Sequence, residues 1–244
     1  MHTMKHLRWS SANHSHVGMV RKINEDSCLA VPELGLWAVA DGMGGHEAGD
    51  VASRMVIDGL RQVPLWQNLQ DFIHAVRESV QETNGKLRSE SARHYSHRTI
   101  GSTVVILLAC ADRGACLWVG DSRLYRLRSA RLEQLTRDHS HVQDLIEQGI
   151  LDPEEAHQHP LSNVITRAVG SADQLDVDVI EFALQEGDLF LLCSDGLNKV
   201  LTDAEIAQLM SQHHDQELVQ ALIQNALAKG ASDNVTVVVV EIDS

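Results

Sequence analysis

Residues 36–50 read LWAVADGMGGHEAGD, an apolar run that stops at an aspartate and is followed by three glycines in the next four positions. The run itself, Leu36 to Ala40, is the second of two short apolar segments, because SCLAV at 27–31 precedes it across the turn signal PELG at 32–35. Two apolar runs separated by proline and glycine are typical of a β-hairpin. We therefore predict a hairpin whose second strand ends at Asp41, where the glycines let the chain turn.

The segments after the hairpin carry first helical and then strand patterns. Apolar residues recur at helical spacing from Gly45 to Leu60 and again from Leu69 to Leu87, which predicts two amphipathic helices. Four β-type runs then occupy residues 102–136, with short turn signals between them. Because such turns leave no room for crossover helices, these runs predict a meander of antiparallel strands.

The C-terminal half continues the alternation of strands and helices. Residues 138–165 are polar and contain a short helical pattern, which predicts an excursion over the surface. Strand patterns at 175–184 and 187–196 precede TDAE at 202–205, a capping box that opens a helix. A further helix is expected to end at Gly230, and DNVTVVVVEI forms the last strand.

These elements together predict an α+β fold. Two antiparallel β-sheets would pack face to face as a sandwich flanked by helix pairs, in α-β-β-α layers. No repeat, low-complexity segment or Pro/Gly/Ser-rich linker divides the chain. We therefore expect one domain over residues 1–244, with a flap-like excursion at about 138–165.

Composition narrows the classes of partner. The chain has 244 residues, 43% of them hydrophobic, and a formal net charge of −14. Nucleic acid or an anionic membrane would need a basic face, and Lys and Arg total only 20 against 34 Asp and Glu, so neither is an expected partner. No apolar run approaches the ~20 residues of a membrane helix. The N-terminus has no signal-peptide pattern and the four cysteines form no CxxC motif, so we expect a cytoplasmic protein. We also expect a monomer.

Five aspartates fall at the ends of predicted strands. They are Asp26, Asp41, Asp121, Asp195 and Asp233, and Glu25 stands beside the first. A single aspartate in such a place usually only shapes a turn. In an antiparallel sheet, however, the exit of one strand and the entry of its neighbour share an edge. The sequence therefore allows these carboxylates to converge on one site.

A cluster of carboxylates has chemical consequences. Carboxylates repel one another, so a site that keeps several ionised at neutral pH needs cations. Ligands that are all oxygen favour Mg²⁺ or Mn²⁺ over zinc. Two such ions at roughly 3.5–4 Å from each other form a clamp for in-line phosphoryl hydrolysis. Arg21 precedes the acid pair Glu25–Asp26 and offers a fork that matches phosphate oxygens, although a surface ion pair with these acids is an alternative.

Eight motifs follow one another along almost the whole chain. They are GMVRKINEDS at 18–27, VADGMGGHEAG at 39–49, GSTVV at 101–105, VGDSRLYRLR at 119–128, LTRDHS at 135–140, ITRAVG at 165–170, LLCSDGLNKV at 191–200 and ASDNVTVVVV at 231–240. In this order they resemble the metal-dependent Ser/Thr protein phosphatases, the PPM or type 2C family, and especially its compact bacterial members.

The resemblance implies a β-sandwich with a binuclear Mn²⁺ or Mg²⁺ centre at one edge. Asp41 would bridge both ions. The Gly42 carbonyl would be a further ligand of one ion, and Asp195 with Asp233 would complete the other.

The remaining site residues would surround this centre. By the same resemblance, Asp26 and Glu25 would act through metal-bound waters, and Arg21 would bind the substrate phosphate. Asp121 would hold a possible third, weaker ion together with Asp195.

The resemblance also implies an activity. The chain would hydrolyse phosphoserine and phosphothreonine in proteins with a metal-activated water, opposing a bacterial Ser/Thr kinase, and the excursion at 138–165 would be the family's flap near the substrate. Animal members carry a histidine directly after the Asp-Gly as proposed general acid, whereas this chain has Met43. The proton donor to the leaving alcohol is therefore open between a metal-bound water and His46.

A competing interpretation is a catalytically silent phosphatase-like module that binds a phosphoprotein or a signalling partner. Such a module would be expected to have lost metal ligands. Here Asp41, Asp195 and Asp233 are all present together with Arg21, which favours an enzyme.

Overall fold

Two antiparallel β-sheets face each other in the structure, a computed structural model that describes residues 7–44, 48–94 and 100–243. The strands are β1 (Arg8–His16), β2 (Asp26–Val31), β3 (Leu36–Met43), β4 (Gly101–Ser102), β5 (Val104–Cys110), β6 (Arg113–Val119), β7 (Arg123–Arg128), β8 (Arg131–Gln134), β9 (Asp178–Ala183), β10 (Leu189–Cys193) and β11 (Val235–Asp243). Sheet I has the strand order β1-β11-β10-β7-β8. Sheet II has the order β2-β3-β5-β6-β9, and β4 pairs with the end of β3.

Helices cover the outer side of both sheets. They are α1 (Ala48–Arg61), α2 (Leu69–His94), α3 (His141–Glu147), α4 (Asp195–Asn198), α5 (Asp203–Gln212) and α6 (Asp215–Ala228), with 3₁₀ turns at Pro32–Leu34 and Pro153–Gln158. The first two helices pack on sheet II, and α5 and α6 pack on sheet I. The layers are therefore α-β-β-α, which confirms the predicted fold class.

The apolar run of β3 is uninterrupted because both faces of the strand are buried. Leu36, Ala38 and Ala40 belong to the core between sheet II and its helices. Trp37 and Val39 belong to the core between the two sheets. Full burial of a large apolar side chain contributes roughly 1.5–3 kcal/mol to folding, so this strand anchors two layers at once.

The capping box at the start of α5 forms as predicted. The Thr202 hydroxyl accepts a hydrogen bond from the Glu205 N–H at 3.3 Å, and the Glu205 carboxylate accepts one from the Thr202 N–H at 2.9 Å. The helix α6 ends just before Gly230, whose φ is +80°. Within the described ranges, no helix is long and apolar enough to cross a membrane.

The predicted meander over residues 102–136 is wrong at its middle. β5 pairs with β6 and β7 pairs with β8, but β6 and β7 lie in different sheets. The chain crosses between the sheets at residues 120–122, where Gly120 has a φ of +107°, a conformation that favours glycine. A short polar connection between two apolar runs has the same pattern whether the two strands pair or separate.

The predicted strand end at Asp41 is also wrong. β3 continues to Met43, because Gly42 and Met43 pair with Ser102 and Gly101 of β4. Asp41 is therefore a strand residue, directly opposite the first residue of β2. The predicted turn extended to Gly45, which lies outside the described residues, as does His46.

The strand β1 is not apparent from the sequence, because its residues are mostly polar. It lies at the edge of sheet I and pairs with β11 along its whole length, from Arg8 opposite Asp243 to His16 opposite Val235. An edge strand needs less apolar surface than an inner strand. The segment that follows β1 carries Arg21, so this strand fixes where the arginine enters the site.

Candidate metal centre

The site is built from strand side chains that point into the layer between the two sheets. The middle of this layer is apolar, with residues such as Trp37, Val39 and Phe190. Further along the alternation of strand side chains, at one end of the layer, the strands carry polar residues. These are Asp26 of β2, Asp41 of β3, Thr103 before β5, Ser122 before β7, Ser194 after β10 and Thr236 of β11. Both sheets therefore contribute to the same polar end.

Asp26 joins the two sheets at this end. Its Oδ2 accepts hydrogen bonds from the Ser194 and Thr236 hydroxyls, both at 2.7 Å. Its Oδ1 is buried and has no hydrogen-bond partner among the described residues. Burial raises the pKa of Asp26 to about 7, and the charges of Asp195 and Asp233 add to this effect. A buried oxygen without a partner carries a desolvation cost, which a cation would offset.

Asp41 is held in place by its backbone. Its N–H donates to the Thr103 hydroxyl at 3.1 Å, and its carbonyl accepts from the Thr103 N–H at 2.8 Å and from the Ser102 hydroxyl at 3.0 Å. Its carboxylate faces the cleft described below. Burial, followed by the charges of four neighbouring aspartates, raises the pKa of Asp41 well above its usual value. The aspartates therefore compete for ionisation unless cations are present.

Asp195 and Asp233 face cations that belong to the chain itself. Asp195 is the first residue of α4, and its Oδ2 forms an ion pair with Lys199, whereas its Oδ1 is buried without a partner among the described residues. Asp233 accepts from Arg21 Nη2 at 2.9 Å. The Arg21 side chain is 52% exposed and that of Asp233 is 32% exposed, so water screens this second pair.

Asn234 fixes the segment that carries Arg21. Its Oδ1 accepts from the Glu25 N–H at 2.8 Å, and its Nδ2 donates to the carbonyls of Val17 and Ile23 at 2.9 and 3.0 Å. Three bonds from one side chain therefore tie this segment to the start of β11.

Gly42 allows β3 to touch the first turn of α1. A Cβ on Gly42 would lie 1.9 Å from the Gly49 carbonyl oxygen, and a Cβ on Gly49 would lie 2.4 Å from Glu25 Oε1. Only glycine fits at either position. The contact leaves the Glu25 carboxylate beside the N-terminal turn of α1, where the helix dipole favours an anion.

Asp121 lies buried at the crossing between the sheets. The preceding Gly120 exchanges two hydrogen bonds with His139. The ring Nδ1 of His139 accepts from the Gly120 N–H at 3.0 Å, and the backbone N–H of His139 donates to the Gly120 carbonyl at 2.9 Å. Burial lowers the pKa of His139, and the neutral ring positions the crossing. Burial and neighbouring carboxylates raise the pKa of Asp121 to about 7.

A cleft of about 290 Å³ brings the predicted site residues together. Its lining includes Arg21, Glu25, Asp41, Gly42, Asp121, Asp195 and Asp233, and Asp26 lies buried behind it. A second cavity of about 660 Å³ shares Asp121, Asp195, Asn163 and Lys199 with the cleft and extends toward α3 and α5.

The carboxylates converge without forming a closed cage. In the part of the chain that the structure describes, no group of three or more His, Cys, Asp or Glu side chains is arranged to hold one metal ion. Lys199 and Arg21 each form an ion pair with one of these carboxylates. The donor set is nevertheless all oxygen and includes two unpartnered buried carboxylate oxygens, which suits a hard divalent ion.

Several residues of the site are absent from the sequence prediction. They are Thr103, His139, Asn163, Ser194, Lys199, Asn234 and Thr236. All except Asn163 lie within the eight motifs of the sequence, so those motifs are the sequence feature that could have pointed to them. Their partners are distant in sequence, and only the fold reveals the contacts.

Comparison with known proteins agrees with this geometry. The family model described as Protein phosphatase 2C matches residues 12–230. The Serine/threonine protein phosphatase PstP of Mycobacterium tuberculosis is 36% identical over 231 residues, which is 95% of this chain. The chain spans 44% of the length of that protein.

Solved structures agree as well. PppA of Pseudomonas aeruginosa, described as a key regulatory component of T6SS, is 44% identical with a TM-score of 0.89, covering 96% of this chain and 98% of that one. The catalytic domain of PstP in complex with two manganese ions is 34% identical with a TM-score of 0.89, covering 98% of this chain and 100% of that one. The predicted resemblance is confirmed, and the chain belongs to the protein phosphatase 2C family.

Proposed function

We propose that this chain is a Ser/Thr phosphoprotein phosphatase that uses two Mn²⁺ or Mg²⁺ ions. One observation carries the proposal: the ends of both sheets bring Asp41, Asp195 and Asp233 to one cleft, with Arg21 at its rim. Family membership and the two manganese ions of the PstP catalytic domain support the same chemistry.

The residues of the cleft have donors for two hard ions. Asp41 and the Gly42 carbonyl would hold one ion, and Asp41 with Asp195 and Asp233 would hold the other. Such ions, when bound, supply an activated water and offset the charge of the phosphate. Asp233 pairs with Arg21 through Oδ2, and its Oδ1, which accepts the Asn234 N–H, keeps a lone pair that could contact an ion.

Asp26 and Glu25 would contribute through water. Asp26 is held by two hydroxyls and keeps one buried oxygen free of protein partners among the described residues. Glu25 is seated against Gly49. Both carboxylates can therefore orient water molecules around the ions without large movement.

Arg21 would bind the phosphate of the substrate. A guanidinium has five N–H donors, of which Nη2 contacts Asp233. The group can therefore reach a phosphate without losing all contact with the protein. Charge-assisted bonds of this kind are about twice as strong as neutral ones.

The proton for the leaving alcohol would come from water. Met43 occupies the position of the histidine of animal members and has no proton to donate. It lines the cleft beside Gly44, so it limits the space there rather than taking part in proton transfer.

The surroundings of the cleft suit a polypeptide better than a small phosphate ester. Met19 and Val20 are exposed beside Arg21, and Val20 lines a third cavity with Asn163 from the 138–165 segment. Exposed apolar side chains next to a phosphate site can contact the residues that flank a phosphoserine or phosphothreonine. This supports the expectation that the segment is a flap in contact with substrate.

The partners would be phosphoproteins and the Ser/Thr kinase that modifies them. Similarity to PppA, described as a regulatory component of T6SS, makes the phosphoproteins of a bacterial secretion system the first class to test. No feature of the site favours the silent module.

Phosphothreonine-peptide hydrolysis tests the proposal. We expect turnover with Mn²⁺, none with excess chelator, and losses of at least ~100-fold in Asp41→Asn and Asp195→Asn, because each removes a charged ligand. Asp58→Asn is the matched control, since Asp58 is an exposed partner of Arg61 on α1.

Two results would contradict the proposed function. Turnover that survives chelator or both ligand substitutions would exclude the metal mechanism. A folded, Mn²⁺-loaded chain without activity on phosphoserine and phosphothreonine peptides would favour the silent module.

A further inference from the structure

Lys199 places a positive charge inside the cleft. It directly follows α4, and its N–H donates to the Asp195 carbonyl at 2.9 Å while its ammonium contacts Asp195 Oδ2. The side chain is 29% exposed, and it lines both the 290 Å³ cleft and the 660 Å³ cavity. The α4 turn therefore fixes the ammonium at the boundary between the two cavities.

Asp121 is the second carboxylate at this boundary. It lines the same two cavities. The Lys199 ammonium therefore contacts one of the two carboxylates at this boundary and shares both cavities with the other.

Asp195 divides its two oxygens between two tasks. Oδ2 contacts the Lys199 ammonium, and Oδ1 is buried without a partner among the described residues. One oxygen thus remains for a core ion, while the other is neutralised by the chain. A further divalent ion between Asp121 and Asp195 would lie next to the ammonium, and two like charges in a partly buried site repel strongly.

We infer that the Lys199 ammonium takes the place of the third ion that the family resemblance implies between Asp121 and Asp195. The centre of this chain would then hold two divalent ions and one tethered monovalent charge. The inference rests on the proposed metal-dependent function, but its test counts bound ions and does not require turnover.

Equilibrium dialysis against Mn²⁺ alone, followed by measurement of bound metal, tests the inference. We expect two ions per unaltered chain and two in Lys199→Arg, which keeps the charge. Lys199→Met should bind a third, weaker ion. Adding Asp121→Asn to Lys199→Met should remove that third ion, because its ligand is lost.

Lys229→Met is the matched control. The Lys229 ammonium contacts both carboxylate oxygens of Glu205 at 2.6 Å, away from the cleft, so its loss changes the net charge equally and should leave two ions. Asp121→Asn alone should also leave two ions, which tests the inference even if Lys199→Met does not fold.

Three outcomes would overturn the inference. They are three ions in the unaltered chain, loss of an ion in Asp121→Asn, and two ions in a folded Lys199→Met chain. Fewer than two ions in the unaltered chain would overturn the proposed metal-dependent function as well.

Discussion

Arg21 is shared between the protein and the proposed substrate. Its pairing with Asp233 keeps the side chain at the rim of the cleft, and coulombic attraction also reaches it from Glu25 and Asp41. An arginine placed among carboxylates is pre-positioned for a phosphate only if divalent ions offset those carboxylates. The proposed role of Arg21 in binding phosphate therefore depends on the presence of the ions.

Replacing Arg21 by Ala should chiefly raise KM for a phosphothreonine peptide. A lost charge-assisted bond is worth roughly 1.5–3 kcal/mol, which corresponds to about a 10- to 150-fold rise in KM. The KM of Arg21→Lys should lie between those of the unaltered chain and Arg21→Ala, because an ammonium keeps the charge but lacks the planar fork. Steady-state kinetics with Mn²⁺ measure this, and Arg61→Ala, at an exposed pair on α1, is the control. Unchanged KM and kcat would mean that Arg21 is only a surface partner of Asp233.

The sequence predicts the carboxylates of the site but not their hydrogen-bond partners. Asp26 stands out because it opens an apolar strand, whereas Ser194 and Thr236, which hold it, lie 168 and 210 residues away. No local pattern connects such positions. Lys199 is only four residues from Asp195, but α4 has four residues, which is too short for a periodic pattern.

At the scale of elements, the existence of an apolar strand is predictable, whereas the polar edge strand β1 and the sheet to which each strand belongs are not. β3, β5 and β11 are apolar along most of their length because both faces are buried, and such runs predict strands directly. The crossing after β6 depends on which partner each strand finds at long range. The carboxylates of the site thus lie at or near the ends of predictable strands, while their convergence depends on a crossing that the sequence pattern does not reveal.

The contact between β3 and α1 gives an element-scale prediction. Gly42→Ala should lower the free energy of unfolding by roughly 2–4 kcal/mol, because its Cβ would lie 1.9 Å from the Gly49 carbonyl oxygen. Gly85→Ala is the control: no atom lies within 4 Å of its Cβ position in α2, so it should raise stability by about 0.5–1 kcal/mol. Urea unfolding of the metal-free chain measures both. Equal stability of Gly42→Ala and the unaltered chain would mean that the contact is not tight.

The whole molecule places its polar, acidic cluster where two sheets meet, and this couples stability to pH. Asp26 and Asp121 have a pKa of about 7 in the folded, metal-free chain, against about 3.9 for an unfolded aspartate. The folded state therefore binds protons more tightly. The stabilisation that the protonated forms of these two aspartates give the folded state is fully present below about pH 4 and is lost as the pH rises through about 7.

Asp121→Asn should isolate this effect in the metal-free chain. At pH 8 the variant should be more stable than the unaltered chain by on the order of 2–4 kcal/mol, because no charge is buried at position 121, and the difference should shrink toward pH 5. Urea unfolding at both pH values measures the difference. Asp58→Asn on the exposed face of α1 should change stability equally at both pH values. Mn²⁺ should stabilise the unaltered chain more at pH 8 than at pH 6, because ions bind ionised carboxylates. If Asp121→Asn and the unaltered chain differed in stability by the same amount at both pH values, the proposed cost of burying a charge at position 121 would be contradicted.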